Sequence, residues 1–118
     1  MNCKISDFGW ACQNINNKRQ TICGTIDYLS PEVSENLLYD FSVDVWSLGV
    51  MIYELVTSTS PFSGKNEYET LENIKNINID LKNDERLKAI KASNEMIELL
   101  EKVLCFNKRY LWRLIGFQ

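Results

Sequence analysis

The spacing of apolar and polar residues changes character along the chain, and each change predicts an element. Residues 3–6 alternate loosely as Cys3-Lys4-Ile5-Ser6, which predicts a short strand, and the polar run 13–20 predicts an exposed loop. Ser30-Pro31-Glu32 predicts a helix start. Ser30 serves as N-cap, Pro31 sits where its missing N–H costs nothing, and Glu32 lies near the positive helix end; the helix should stop near Asn36. From Val43 to Thr57 the residues Val43, Val45, Trp46, Leu48, Val50, Met51, Tyr53, Leu55 and Val56 fall on every side of a helical wheel. Such a helix is expected to be buried all round.

Pro61 then breaks the chain, and Asn66 followed by Glu69 predicts a capping-box start for a helix through about Asn76. Its core face would be Leu71, Ile74 and Tyr68. Ser93 is the expected cap of a third helix, in which Met96, Leu99, Leu100, Val103 and Leu104 recur at three-and-four spacing. Residues 77–92 fit helix or irregular structure equally. Beyond Phe106 the tail is rich in large apolar groups with nothing following to cover them, so the end reads as cut. There is no internal repeat and no Pro-rich or Gly/Ser-rich linker.

A length of 118 residues leaves room for one compact body, and 45% hydrophobic with 25% charged residues is an ordinary globular balance that wants a core. Thirteen Lys+Arg against sixteen Asp+Glu, with no histidine, gives a net charge of −3. That balance offers no basic footprint for nucleic acid or an anionic membrane surface, so neither is an expected partner. The four cysteines, at 3, 12, 23 and 105, contain no Cys-x-x-Cys pair, which speaks against structural zinc, and Lys4 and Asp7 interrupt any secretory-type apolar stretch, so the thiols are expected to be reduced and intracellular. The longest apolar run, 45–56, is interrupted by Glu54 and is shorter than the ~20 residues of a membrane-spanning helix.

Candidate chemistry begins at Asp7-Phe8-Gly9. An aspartate there can coordinate Mg²⁺, the phenylalanine can dock in a core, and the glycine frees the backbone to turn. Alone the tripeptide is weak, and Asp7 reads equally as a turn residue. An ordered series follows: Thr21-x-Cys23-Gly24-Thr25-x-Asp27-Tyr28-Leu29-Ser30-Pro31-Glu32, then Asp44-x-Trp46-Ser47-x-Gly49, then Tyr53-Glu54 and Pro61-Phe62.

Taken together, over residues 2–104, this series resembles the activation segment and C-terminal lobe of a eukaryotic protein kinase, with Ser-Pro-Glu where the family usually has Ala-Pro-Glu. The Asp-Phe-Gly-Trp opening and the Cys-Gly-Thr-x-Asp-Tyr-Leu stretch look most like the Aurora group of serine/threonine kinases. The resemblance implies part of an α+β protein kinase-like fold, here mainly the α-helical C-terminal lobe. Residues 1–36 would hold the Asp-Phe-Gly motif, the activation segment and the Ser-Pro-Glu helix, and residues 37–118 the lobe helices.

The same resemblance implies roles, residue by residue. Asp7 matches the Mg²⁺ ligand that serves ATP, a role that suits a carboxylate because a hard cation prefers anionic oxygen. Thr21 falls at the activation-loop phosphosite, preceded by Lys18 and Arg19 in a basic pattern that suggests an activating kinase of the same type; the plain alternative is a solvated polar loop. Thr25 matches the residue that shapes the substrate pocket. Glu54 matches an acidic position that receives a substrate arginine in basophilic kinases, with a surface charge at a helix end as the plain alternative. Protein substrates with basic residues before Ser or Thr, and a regulatory protein, are the implied partners.

Asp44 lies in an apolar helix, where a buried carboxylate must be bonded, and the family pairs it with catalytic-loop backbone N–H groups. Glu32 matches an acid that pairs with a buried arginine, for which Arg109 is the candidate. Trp46, Leu48 and Cys23 are expected in the core. The family location would be nucleus, spindle or cytoplasm.

No Gly-rich loop, strand lysine or His-Arg-Asp precedes Asp7, so no general base is among the site residues and the chain alone is expected to be inactive. Two readings follow: a piece of an ATP-dependent serine/threonine kinase, or a non-catalytic binding module or decoy that keeps the substrate-side surface. Poor folding in isolation is expected, because the helix around Trp46 would lack its usual cover.

Overall fold

The computed structural model of the chain describes residues 1–9, 11 and 26–104. A 3₁₀ turn at Ile26–Tyr28 leads into α1 (Pro31–Ser34), α2 (Ser42–Thr57) and α3 (Glu67–Lys75). A second 3₁₀ turn (Leu81–Asn83) then precedes α4 (Glu85–Ala89) and α5 (Asn94–Leu104). The described residues contain no β-strand. Residues 3–6, expected as a strand, run as irregular exposed chain, since extended backbone holds as strand only where a neighbour pairs its N–H and C=O groups.

Helix α2 is the axis of the fold. It buries Ser42, Trp46, Gly49, Val50 and Tyr53, which share one stripe, and packs this face mainly on α5 and also on α4. The indole of Trp46 stacks on Phe62 with ring centroids 5.3 Å apart. Ile74 from α3, Leu81, Leu87 from α4, and Leu100 and Leu104 from α5 complete the core. Gly49 is where α2 and α5 come closest: a Cβ there would lie 2.4 Å from Val103 Cγ1. The expectation that α2 is covered all round does not hold. Leu48, Met51 and Leu55 are exposed on the opposite stripe, because α5, α4 and the 26–28 turn occupy the other side of the helix. Leu48 therefore leaves the expected core and Trp46 stays in it.

The helix ends follow local chemistry. Asn66 accepts from the Glu69 N–H at 2.9 Å, as a capping box requires, while the Glu69 carboxylate reaches back to the Lys65 N–H at 2.8 Å, one residue beyond the usual target. Ser93 accepts from the Met96 N–H at 3.2 Å and starts α5. Of the expected core face of α3, Ile74 is buried, Leu71 is half-buried and Tyr68 is exposed; Thr70 takes the inner position instead. Its hydroxyl donates to the Asn66 carbonyl and accepts from the Gly64 N–H, which satisfies it there. Leu99 is exposed, and Leu100 and Leu104 carry the α5 contact. Helix α1 stops at Ser34 in a Schellman closure: Asn36, at φ 57°, donates to the Val33 carbonyl and Leu37 to that of Glu32.

Candidate substrate-side site

Tyr28, Ser47 and Glu54 of the motif series meet where the 26–28 turn lies on α2, which it touches together with α3. The Tyr28 hydroxyl donates to Glu54 Oε2 on the last turns of α2. One helical face further back, the Ser47 hydroxyl donates to the carbonyls of Tyr28 and Val43, each at 3.0 Å. A serine at that position can bond back to its own helix, and here the same hydroxyl also holds the incoming chain. Two residues of α2, about two turns apart, therefore fix Tyr28 at both its backbone and its phenol.

The electrostatics follow from this pairing. The Glu54 carboxylate raises the Tyr28 phenol above its ordinary range, first through the hydrogen bond and then, with burial, through its charge. Tyr28 thus remains a neutral donor at physiological pH. Glu54 is half-buried, and a carboxylate accepts at two oxygens, so one neutral donor at Oε2 leaves it the charge and the capacity to receive a cation.

Other expected residues lie elsewhere. Asp44 is exposed in the first turn of α2, so its carboxylate is not a buried group in need of a partner; water and the positive end of the helix suffice. Glu32 is half-buried in the first turn of α1. Asp7, at φ 62°, begins a turn in which the Ala11 N–H donates to the Phe8 carbonyl at 3.0 Å, and Asp7, Phe8 and Gly9 are all exposed. Phe8, expected to dock in a core, is exposed instead, as are all of residues 1–9. Thr21, Thr25, Cys23 and Arg109 lie outside the described residues, and with them the expected phosphosite, the pocket-shaping threonine, the buried thiol and the pairing of Arg109 with Glu32.

Asp7 offers a hard oxygen donor of the kind Mg²⁺ takes. Among the described residues no group of three His, Cys, Asp or Glu side chains gathers that could hold an ion, so Asp7 would supply a single carboxylate. No described helix is long and apolar enough to cross a membrane. The sequence left Tyr28 and Ser47 unassigned. Both stand inside quoted motifs, and only their contact across 19 and 26 positions gives them a role.

Comparison with known proteins identifies the family. Residues 1–111 match the protein kinase domain family. Serine/threonine-protein kinase Aurora-2 of Arabidopsis thaliana is 46% identical over 79 residues, covering 67% of this chain and 27% of the relative. Aurora kinase of Saccharomyces cerevisiae is 37% identical over 112 residues, 94% of this chain and 29% of the relative. Protein kinase C delta type of Rattus norvegicus is 49% identical over 74 residues, 61% of this chain and 11% of the relative. The chain thus spans less than a third of the length of each of these relatives.

Proposed function

Because the chain belongs to the protein kinase family and is Aurora-like in sequence, we propose that it supplies the substrate-side part of an ATP-dependent protein serine/threonine kinase. The observation that carries this reading is the Tyr28–Glu54 hydrogen bond, with Ser47 holding the Tyr28 carbonyl. It ties the end of the segment that follows Asp7-Phe8-Gly9 to an acidic side chain on the central helix. In this reading residues 1–36 are the motif and activation segment, and residues 37–118 belong to the helical lobe.

Each residue then has a task that its chemistry suits. Asp7 contributes one carboxylate to Mg²⁺ bound with ATP, and the ion neutralises the charge on the phosphate oxygens. Thr21 is the activation-loop phosphosite, where a phosphate adds about −1.5 to −2 charge for cations to order. Thr25 shapes the pocket for the acceptor residue. Glu54, oriented by Tyr28, receives a basic side chain that precedes the serine or threonine, which makes basic peptides the preferred substrates. Glu32 is structural and pairs with Arg109. The chain holds no His-Arg-Asp and no Val-Ala-x-Lys, so alone it lacks a general base and a nucleotide lysine and transfers no phosphate. The place of action is intracellular.

The test is phosphate transfer from labelled ATP to a serine peptide with arginine ahead of the acceptor, using the protein encoded by the complete reading frame. Transfer that Asp7→Asn abolishes supports the reading. Equal transfer by the wild type and Asp7→Asn overturns it.

A further inference from the structure

From the contacts between α2 and α4 we infer that Asp84 and Arg86 are positioning residues for the Glu54 carboxylate, acting through Tyr53. The inference rests on the reading of Glu54 as the acceptor of a basic substrate side chain. Tyr53 precedes Glu54 on the last turns of α2 and is fully buried. Its hydroxyl donates to Asp84 Oδ2 at 2.7 Å. Asp84 is itself immobilised, because Oδ1 accepts the N–H groups of Arg86 and Leu87 at 2.8 and 3.1 Å at the start of α4. The Arg86 guanidinium lies 5.2 Å from the centre of the Tyr53 ring, with Nη2 3.6 Å from Asp84 Oδ2. It then reaches past the end of α2, where Nη1 donates to Thr59 Oγ1 at 2.9 Å.

These links hold the C-terminal end of α2 on both sides of Glu54. Within the helix, Thr57 Oγ1 donates to the Tyr53 carbonyl at 2.8 Å, and Ser58, at φ 63°, donates its N–H to the Glu54 carbonyl at 2.7 Å. Neighbouring helical side chains stand about 100° apart, so a turn of Tyr53 about the helix axis carries Glu54 with it. With Tyr53 tied to Asp84, the last turn has one rotational setting, and the Glu54 carboxylate meets Tyr28 and the substrate cation at a fixed place. Small displacements matter at such sites, since a misplacement of about 1 Å can cost about 10²-fold in rate.

The experiment measures binding of two fluorescent serine peptides, one with arginine ahead of the serine and one with alanine there, by anisotropy. It uses the protein encoded by the complete reading frame. The ratio of the two dissociation constants is the readout, because a loss of folded protein lowers both apparent affinities equally and leaves their ratio alone. The wild type is expected to prefer the arginine peptide, and Glu54→Gln to abolish the preference. Tyr53→Phe and Asp84→Asn are each expected to reduce it by about three- to tenfold, with no further reduction when either is combined with Glu54→Gln. Absence of a preference in the wild type, or its persistence in Glu54→Gln, overturns the reading of Glu54 and the inference with it. A preference that Glu54→Gln removes but Tyr53→Phe and Asp84→Asn both retain overturns the inference alone.

Discussion

The Tyr53 hydroxyl donates to Asp84 Oδ2 at 2.7 Å between two buried residues that lie 31 positions apart. The bond joins the central helix to the start of α4, a stretch whose sequence pattern gives no clear element. Burial first, and the Asp84 bond second, push the Tyr53 phenol well above its ordinary value of 10.0. A group raised in the folded state is held protonated by the fold. Its contribution is complete below the unfolded value near 10 and is lost as pH rises from there towards the folded value.

Wild-type stability is therefore expected to fall as pH climbs above 10, and Tyr53→Phe to flatten that fall while costing about 1–3 kcal/mol at neutral pH, where Asp84 loses a donor. Tyr28, raised in the same direction by Glu54, accounts for a part that persists in the variant. Thermal melts of both proteins between pH 8 and about 11 check this. Equal slopes would uncouple Tyr53 ionisation from folding.

Gly49→Ala is expected to destabilise the fold. A Cβ at this position would sit 2.4 Å from Val103 Cγ1 and 3.0 Å from Leu104 Cδ2, so these side chains must change rotamer or α5 must move. Alanine improves helix propensity by up to about 1 kcal/mol over glycine, but overpacking a close crossing typically costs about 1–3 kcal/mol. Urea titration should show a lower midpoint for the variant. An unchanged or higher midpoint would mean that the two helices do not meet at Gly49.

Ser30→Ala is expected to stabilise. Ser30 is 1% exposed, and its hydroxyl finds no hydrogen-bond partner among the described residues. Although Ser30 occupies the N-cap position of α1, with extended backbone at ψ 161°, its side chain makes no capping bond. The usual benefit of a serine cap is absent while the cost of burying a hydroxyl remains. Removing the hydroxyl should gain about 1 kcal/mol and raise the melting temperature. A lower melting temperature would show that Ser30 caps the helix in solution.

What the sequence made legible was local. Asn66 with Glu69, and Ser93, each mark a helix start, because a cap is settled within three or four residues by which side-chain oxygen can reach an orphan N–H. Pro31 after Ser30 also marks a start, through the fixed φ of proline at the first helical position, while the Ser30 side chain makes no capping bond. What stayed hidden depends on neighbours distant in sequence. Helix α2 carries apolar residues on every side, so nothing within it says which stripe meets α5, and Leu48, expected in the core, is exposed. Helix α4 is five residues long, too short for a period to show, and is defined by the Asp84 cap and the Tyr53 bond. Tyr68 was placed inward by spacing alone, yet the smaller Thr70 fits the inner position and is hydrogen-bonded there.

The exposed stripe of α2 leads to the last expected outcome. Leu48, Met51 and Leu55 are 50%, 43% and 74% exposed at spacings of three and four, so they form one apolar strip along a helix whose other face is the core. Leu37, Leu38 and Phe41, just ahead of the helix, are also exposed. Uncovered apolar surface of this kind binds hydrophobic dyes and drives association, because each side chain removed from water gains roughly 25 cal/mol per Å². The 118-residue chain is expected to bind 8-anilinonaphthalene-1-sulfonate and to elute larger than a monomer on size exclusion. Replacing Leu48, Met51 and Leu55 together by glutamine should reduce both signals and leave the melting temperature within a few degrees of wild type, since the strip contributes nothing to the core it turns away from. A large drop in melting temperature would place those three side chains inside the folded protein.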